Sequence, residues 1–302
     1  MSALVFEEKL GNLNIEFEKN ISLKDFTSFK IGGKADYYIK PSDIKEFVNA
    51  VISARESDIP YFILGKGSNI LVSDLGVDGA VIDTSGLNKI ERKENIITCE
   101  CGVSLIKLCN FSAENSLSGL EFAFGIPGSV GGAMIMNAGA YGGEISQVAK
   151  SALCLNKDGE IIELELEKAD FSYRSSVFKE KNLIVLEASF SLNSGNRDAI
   201  KSLMADFMQR RKSKQPLEYP SAGSTFKRPE GYFAGALIEK NGFKGFSVGG
   251  AQVSQKHAGF VINKGNAKSE DVKNLIDLIQ KKVLKTDGVL LEPEVIFVGR
   301  KE

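Results

Sequence analysis

The 302-residue chain contains 43% hydrophobic and 25% charged residues, a balance typical of a globular protein with a buried core. Its 38 Lys and Arg residues against 39 Asp and Glu residues give a net charge of −1, so no global field favours nucleic acid or an anionic membrane as a partner. The single histidine, His257, excludes zinc sites built on several histidines and almost every Ser-His or Cys-His nucleophile.

Four cysteines, none of them in a CxxC motif, are predicted to be small core residues of a reducing compartment. They are Cys99, Cys101, Cys109 and Cys154. The acidic N-terminal segment lacks the apolar run of a signal peptide. No stretch approaches the ~20 apolar residues that span a bilayer. The expectation is therefore a cytoplasmic protein with no metal site.

In chain order, three segments carry apolar residues at helical spacing and predict amphipathic helices over residues 44–52, 200–208 and 272–283. Ser42 is predicted to cap the first helix. A basic run follows the second. Ser269 opens the third helix, with acids in its first turn and lysines near its end, as the helix dipole favours.

Runs of β-forming residues bounded by turn residues predict nine strands. They cover residues 35–39, 61–64, 80–82, 96–101, 151–155, 161–166, 183–192, 259–262 and 294–298. The turn sequence NKDG at residues 156–159 predicts a hairpin. Helices and strands are interspersed without a regular βαβ repeat, which predicts an α+β fold. The polar stretch 193–196 is the best domain boundary.

Glycine, with 30 residues in the chain, is concentrated in two segments. Residues 125–143 read GIPGSVGGAMIMNAGAYGG, and residues 64–69, LGKGSN, follow directly on a predicted strand. Such loops let backbone N–H groups approach an anion, so two of them favour a diphosphate site over two plain turns. Neither a Walker P-loop nor the Rossmann fingerprint is present, because GxxxxGK[ST] is absent and Ile70 stands where a third glycine belongs.

Seven ordered motifs, spread from about residue 25 to residue 299, resemble one enzyme family. They are TSFKIGGKAD (27–36), LGKGSNILVSD (64–74), GLEFAFGIPGSVGGAMIMNAGAYGGEI (119–145), YRSSVF (173–178), AGSTFKRP (222–229), GGAQVSQKHAGFVIN (249–263) and LEPEVIFVG (291–299). Together they are similar to the UDP-N-acetylenolpyruvoylglucosamine reductases, flavoenzymes that make UDP-N-acetylmuramate for bacterial peptidoglycan.

The resemblance implies an FAD-binding domain of the vanillyl-alcohol-oxidase type over residues 1–200, in two lobes of about 25–95 and 96–200. A smaller α+β substrate-binding domain would follow over residues 201–302. The family's cofactor residues match Gly65, Lys66, Gly67, Ser68, Asn69, Gly125, Ile126, Pro127, Gly128, Val130, Asn137, Ala138 and Gly139. His257 lies outside both flavin motifs, so we expect non-covalent FAD. NADPH as hydride donor also comes from the resemblance, because no arginine can be assigned to a 2′-phosphate.

The family's reaction passes hydride from NADPH to FAD and then to the enolpyruvyl double bond. By the motif match, Arg174 would bind the substrate carboxylate and stabilise the enolate, Ser224 would donate the proton, and Glu294 would orient or polarise groups at the site. The basic segment 206–228 could hold the UDP diphosphate. The expected substrate contacts are Tyr141, Tyr173, Lys214 and Arg228.

Two departures from the family pattern are visible. Ile296 stands where many members carry arginine, and only 49 residues separate Arg174 from Ser224, too few for the tyrosine-bearing lid loop of other members. The chain therefore resembles the short subclass. His257 would be structural or a peripheral substrate contact.

Two other functions stay open at this stage. One is a sugar or hydroxy-acid oxidase of the same fold, in which the trio of Arg174, Ser224 and Glu294 would have no evident use. The other is a non-catalytic UDP-sugar or flavin-binding protein, which would need no proton donor.

Overall fold

The computed structural model describes residues 2–167 and 170–301. The chain divides into two compact units, each described by itself below. The first unit comprises Met1–Phe17, Ile39–Lys66 and Val81–Arg211, and the second comprises Glu18–Tyr38, Gly67–Ala80 and Lys212–Glu302. The predicted domain boundary between residues 200 and 201 rests on the family's plan and stays a prediction.

The described residues form eight α-helices. They are α1 (Ser2–Asn12), α2 (Ile44–Glu56), α3 (Leu105–Glu114), α4 (Val130–Ile135), α5 (Val177–Glu180), α6 (Arg197–Lys214), α7 (Ala234–Lys240) and α8 (Ser269–Asp287). The three predicted amphipathic helices are confirmed as α2, α6 and α8. No helix in the described part of the chain is long and apolar enough to cross a bilayer.

The start of α2 corrects one prediction. Its N-cap is Asp43, whose Oδ1 accepts a hydrogen bond from the N–H of Glu46 at 2.8 Å. Ser42 lies one residue earlier, where its N–H and its hydroxyl both donate to Oε2 of Glu46. The prediction that Ser42 caps the helix is wrong, because the carboxylate of Asp43 both accepts the free N–H and complements the positive end of the helix dipole.

The described residues also form four 3₁₀ helices, at Leu23–Phe26, Thr84–Gly86, Glu121–Ala123 and Ile145–Gln147, and twenty short strands. The strands are β1 (Phe17–Ser22), β2 (Lys34–Ile39), β3 (Tyr61–Leu64), β4 (Ile70–Val72), β5 (Val77–Asp83), β6 (Ile90–Lys93), β7 (Ile96–Glu100), β8 (Leu117–Ser118), β9 (Gly139–Ala140), β10 (Gly143–Glu144), β11 (Ala149–Leu155), β12 (Ile161–Glu165), β13 (Phe171–Ser172), β14 (Ser175–Ser176), β15 (Ile184–Ser191), β16 (Asn193–Ser194), β17 (Ser247–Val248), β18 (Ala251–Val253), β19 (Val261–Asn263) and β20 (Ile296–Val298). Each of the nine predicted strands overlaps one of them.

A five-stranded antiparallel sheet is the largest sheet of the first unit, with the strand order β12-β11-β15-β7-β6. The predicted hairpin joins β11 to β12. Its turn is fixed by Asn156, whose Oδ1 accepts the N–H groups of Asp158 and Glu160, each at 2.9 Å. All four cysteines are free and buried, as predicted. Burial raises the pKa of the Cys101 and Cys154 thiols to about 12, so both are protonated at neutral pH.

The core of the second unit forms around α8. Its apolar stripe, which includes Val272, Ile276 and Ile279, is buried against residues from much earlier in the chain, among them Phe29 and Leu71. An antiparallel sheet of β17, β18 and β19 packs in the same unit. The strand β20 pairs with β4 in parallel, with Ile296 opposite Ile70. This pairing brings together the chain segments that directly precede the two strands.

Candidate active site

The glycine segment after β3 has the geometry of an anion-binding loop. Gly67 has φ +58°, and a Cβ there would collide with the carbonyl oxygen of Phe26. Among the hydrogen bonds of residues 2–167 and 170–301, none uses the N–H groups of Lys66, Gly67 or Ser68. Consecutive free N–H groups beside a left-handed glycine can bind phosphate oxygens. These residues therefore fit the diphosphate of FAD.

The second predicted flavin segment begins at a tight turn that packs against α6. Gly125 has φ +87°, and a Cβ there would lie 2.8 Å from Cε of Met208 and 3.4 Å from Cδ of Arg211. Ser129 caps α4 by accepting the N–H of Gly132 at 3.4 Å. A Cβ on Gly65 would lie 2.5 Å from Oγ of Ser129. The structure thus brings the start of one predicted flavin segment against the other, and a side chain at position 65 would displace the Ser129 hydroxyl.

The predicted flavin residues differ in how far they are available to a ligand. Val130 is fully buried, and its N–H donates to the carbonyl of Val103 at 2.8 Å. Asn137 is also buried and is used twice: its Oδ1 accepts the N–H of Ser146 at 3.0 Å, and its Nδ2 donates to the carbonyl of Ser172 at 3.2 Å. Both residues are thus held in place by the protein itself, and their assignment to the flavin site stays a prediction. Pro127 is exposed, as are parts of its neighbours in the GIPG turn.

Arg174 lies at the tip of the β13–β14 hairpin, in a left-handed conformation with φ +56°. This region is uncommon for a long side chain, but a positive φ is the usual geometry of a tight hairpin turn. Both strands of the hairpin are tied to the end of α4: Ser172 through Asn137, and Ser176 through its hydroxyl, which donates to the carbonyl of Ile135 at 2.9 Å. The Arg174 guanidinium lies 5.1 Å from the ring centroid of Tyr173, which is 54% exposed.

Tyr141 is held by α6. It lies in the turn between β9 and β10 with φ +54°, followed by Gly142 with φ +87°. Its ring stacks on Phe207 with a centroid distance of 4.5 Å and an interplanar angle of 5°. Arg211 is buried and donates a hydrogen bond to Tyr141. Burial lowers the pKa of Arg211, while its interactions with Tyr141 raise it. The ring is therefore pre-positioned, as a substrate contact requires.

In the second unit, backbone pairing places the predicted proton donor beside the predicted glutamate. Ser224 is exposed and follows Gly223, which has φ +77°. The N–H of Glu294 donates to the carbonyl of Thr225 at 2.8 Å, and Phe226 bridges Pro293 in antiparallel register. Opposed residues in such a pair have Cα atoms about 4.5–5.5 Å apart. Thr225 itself is buried and accepts the N–H of Val261 on Oγ1 at 2.9 Å, which anchors the segment.

Asn69 joins the same cluster in the second unit. Its Nδ2 donates to the carbonyl of Glu294 at 3.2 Å, and its carbonyl accepts the N–H of Ile296 at 3.0 Å. The predicted flavin segment of residues 67–69 is thereby attached to the segment that carries the predicted catalytic glutamate and leads into β20. Ile296 is 41% exposed. Arg174 belongs to the first unit, and Ser224 and Glu294 belong to the second.

The two predicted cationic substrate contacts are both exposed residues of the second unit. Lys214 is the last residue of α6. The Arg228 guanidinium lies 4.1 Å from the ring centroid of Phe233, and its Nε donates to the carbonyl of Tyr232 at 3.4 Å. Arg228 is thus positioned by an aromatic ring that the sequence did not single out.

His257 has a local structural role. Its Nδ1 accepts the N–H of Gly259 at 3.0 Å, and its ring meets Phe260 edge-to-face at 5.1 Å. Burial lowers the pKa of the imidazole, so the neutral form is favoured at pH 7. The contact with Gly259 agrees with the structural alternative for His257.

Sequence reasoning missed the residues that support the site. Phe207 and Arg211 hold Tyr141 in place. In the sequence, Phe207 is only one residue of an apolar stripe, and Arg211 is only one residue of a basic run. Thr225 gave no signal beyond its motif, and Asn137 was predicted as a flavin residue but not as the anchor of the Arg174 hairpin. A buried arginine next to an aromatic residue becomes visible only when the fold brings two distant segments together.

Comparison with known proteins gives matches over nearly the whole chain. Residues 35–165 match the model of an FAD binding domain, and residues 215–298 match the C-terminal domain of UDP-N-acetylenolpyruvoylglucosamine reductase. The UDP-N-acetylenolpyruvoylglucosamine reductase of Clostridium novyi is 51% identical over 286 residues, covering 95% of this chain and 93% of that protein. That of Clostridium botulinum strain Hall is 48% identical over 296 residues, covering 98% and 96%.

Solved structures agree with these matches. The UDP-N-acetylenolpyruvylglucosamine reductase from Thermus caldophilus superposes with a TM-score of 0.81 at 32% identity, covering 94% of this chain and 99% of that chain. The grass pollen allergen Phl p 4, described as having glucose dehydrogenase activity, reaches a TM-score of 0.50 at 14% identity over 64% of this chain and 44% of its own. The second likeness shows the fold alone. Together they confirm the predicted fold class, an α+β chain with an FAD-binding domain and a following substrate domain.

Proposed function

The chain belongs to the UDP-N-acetylenolpyruvoylglucosamine reductase family, and from that premise we propose how its own residues divide the work of the reaction. It is an FAD-dependent oxidoreductase that reduces the enolpyruvyl group of UDP-N-acetylglucosamine-enolpyruvate with NADPH as the hydride donor. The product, UDP-N-acetylmuramate, enters peptidoglycan synthesis. Bound FAD supplies the redox chemistry, and the side chains bind, orient and protonate the substrate.

The FAD site is assigned to the two glycine segments. The N–H groups of residues 66–68 would hold the diphosphate, and the turn from Gly125 to Gly128 would line the other side. The close approach of Gly65 to Ser129 supports this pairing. FAD would be held without a covalent bond, because the single histidine of the chain, His257, lies outside both flavin segments. Flavin that stayed with the protein after acid precipitation would contradict this assignment.

Arg174 would bind the substrate carboxylate. Its guanidinium can donate two parallel hydrogen bonds, and it stabilises the negative charge that develops on the carboxylate when hydride reaches the double bond. The observation that carries this role is the left-handed backbone at the tip of a hairpin that Asn137 and Ser176 both anchor. A position fixed this firmly is expected for a residue whose placement matters to the reaction.

Ser224 would donate the proton to the carbon next to the new C–H bond, and Glu294 would polarise and orient the groups around it. Their segments are paired through the Glu294 N–H and the Thr225 carbonyl, which fixes the distance between the two backbones. Lys214 and Arg228 would bind the diphosphate, while Tyr141 and Tyr173 would lie near the substrate carboxylate. The sugar nucleotide and NADPH are metabolites of the cytoplasm, where we expect the enzyme to act without a nucleic acid or membrane partner.

The two half-reactions test these roles separately. Purified protein should be yellow, should bleach anaerobically with NADPH, and should regain its colour only when the enolpyruvyl nucleotide is added. The Ser224→Ala variant should bleach with NADPH at the wild-type rate and lose recolouring by the substrate by about 10²–10⁴-fold, the usual contribution of a general acid.

Ser247→Ala is the matched control, because Ser247 is an exposed serine of the same unit. It should leave both half-reactions unchanged. Equal loss of both half-reactions in Ser224→Ala would contradict the proton-donor role. Recolouring by oxygen at the rate of turnover would instead support an oxidase.

A further inference from the structure

One aromatic ring of the second unit is exposed where burial would be expected of a phenylalanine. Phe233 is 62% exposed and directly precedes α7, and its neighbour Tyr232 is 47% exposed. The helix does not need the ring, because Leu237 and Ile238 of α7 are buried in the core of the unit. Large apolar side chains left in solvent at a defined position often mark a binding surface.

Arg228 covers part of this ring. Its guanidinium carbon lies 4.1 Å from the centroid of Phe233, a stacked cation–π distance. The turn between the two residues is closed by backbone: the N–H of Tyr232 donates to the carbonyl of Pro229 at 3.2 Å, and Nε of Arg228 donates to the carbonyl of Tyr232 at 3.4 Å. Arginine and ring are therefore ordered together before any ligand arrives.

This pair lies at a suitable distance from the proposed proton donor. Residues 225–227 run antiparallel to residues 292–294, and Lys227 also pairs with Glu292 through its side chain at 3.0 Å. At ~3.3 Å per residue, the four steps from Ser224 to Arg228 span about 13 Å. In the substrate a sugar ring separates the enolpyruvyl group from the diphosphate, and the ribose and uracil lie beyond it. The segment is thus long enough to reach from a substrate carbon beside Ser224 to the diphosphate.

We propose that Phe233 is a specificity-determining residue for the nucleotide, its ring stacking on uracil beside the diphosphate already assigned to Arg228. The inference rests on the proposed function. A flat aromatic ring stacks on a pyrimidine, and a guanidinium that lies on the same ring supplies the charge that the adjacent phosphates need. Phe233 would then determine specificity for a nucleotide-linked substrate without taking part in the chemistry.

The test compares two aromatic with two non-aromatic replacements. Phe233→Ala and Phe233→Leu should each raise the KM for the enolpyruvyl nucleotide by about 5- to 150-fold, the range for losing one base–aromatic stack. Phe233→Tyr and Phe233→Trp should stay within about threefold of wild type. Turnover at saturating substrate and flavin bleaching by NADPH should be unchanged in all four. Phe246→Ala, which removes another exposed ring (45% exposed) of the same unit, is the control and should behave as wild type.

Calorimetric titration with UDP separates this inference from the proposed function, because it needs no turnover. UDP should bind the wild-type protein and bind Phe233→Ala and Phe233→Leu more weakly by the same factor as the change in KM. A substrate that lacks uridine, N-acetylglucosamine-enolpyruvate 1-phosphate, should be used equally by wild type and variants. If UDP binds Phe233→Ala as tightly as wild type, or if Phe233→Leu retains full affinity, the inference is wrong even where the reductase activity is intact.

Discussion

Replacing Asn137 should both destabilise the first unit and loosen the hairpin that carries Arg174. In Asn137→Ala the buried N–H of Ser146 loses its acceptor, at a cost of about 1–3 kcal/mol. The carbonyl of Ser172 also loses its donor, but Ser172 is exposed, so water replaces most of that bond. The backbone at residue 137 has φ +42°, where alanine is less favourable than asparagine by about 1 kcal/mol.

Added together, these effects predict a loss of about 2–4 kcal/mol in the free energy of unfolding. Urea unfolding followed by circular dichroism measures it as a lower midpoint with an unchanged slope. Asn137→Gly separates the two causes, because glycine tolerates the positive φ but makes neither hydrogen bond. The glycine variant should recover about 1 kcal/mol of the lost stability, minus the cost of ordering glycine, which is more flexible than alanine in the unfolded chain.

Asn110→Ala is the control for this series, since Asn110 is an exposed residue of α3 and its loss should change stability by less than about 0.5 kcal/mol. The KM for the enolpyruvyl nucleotide should also rise in Asn137→Ala, because the tether of the Arg174 hairpin is gone. An Asn137→Ala protein as stable as the control would refute the reasoning. If Asn137→Gly were less stable than Asn137→Ala, the argument that the positive φ at residue 137 disfavours alanine would be wrong.

Three further changes test the electrostatics and the loop geometry. Burial, and then the negative charge of the opposing Glu100, raises the pKa of Glu187 above its ordinary 4.5, so the fold disfavours the ionised carboxylate. Glu187→Gln should therefore raise the Tm near pH ~8 but not below pH ~4, and an equal rise in Tm at both pH values would contradict this reasoning. Burial lowers the pKa of His257 below 6.5, so the stability of the wild-type protein should fall as the pH drops below that value. His257→Asn keeps an acceptor for the N–H of Gly259 and should lose less stability at low pH, and identical pH profiles would show that burial of His257 does not cause the fall. Gly67→Ala should weaken FAD binding at least tenfold, measured by fluorescence titration, because its Cβ would collide with the carbonyl of Phe26; wild-type affinity would mean that the loop rearranges freely.

The sequence predicted well wherever one local signal decided the structure. The apolar stripe of α8 and the NKDG turn were sufficient for a helix and a hairpin, because spacing and turn chemistry act within a few residues. α4 was missed for the opposite reason. Its sequence VGGAMI contains two glycines, which have poor intrinsic helix propensity, and its start is stabilised by the side chain of Ser129.

The candidate site shows the same limit. The motifs indicated which residues carry the chemistry, but not what holds them. The stack of Tyr141 on Phe207 and the hydrogen bond from Asn137 to Ser172 join residues far apart in sequence. No periodicity connects such pairs. The sequence did not indicate Phe233 for a related reason. A single phenylalanine is expected to be buried because its side chain is apolar, and only the structure shows that this one is exposed.

The discontinuous second unit has a consequence for how a ribosome makes this protein. Phe29, Ile31 and Leu71 emerge early, yet their packing partners Val272 and Ile276 are near the end of the chain. At 5–20 residues per second, translation from Leu71 to Val272 takes about 10 to 40 seconds. During this time these apolar side chains of the nascent protein have nothing native to pack against. Folding of the second unit must therefore wait until α8 has been made, and the early segments are where we expect a chaperone to bind.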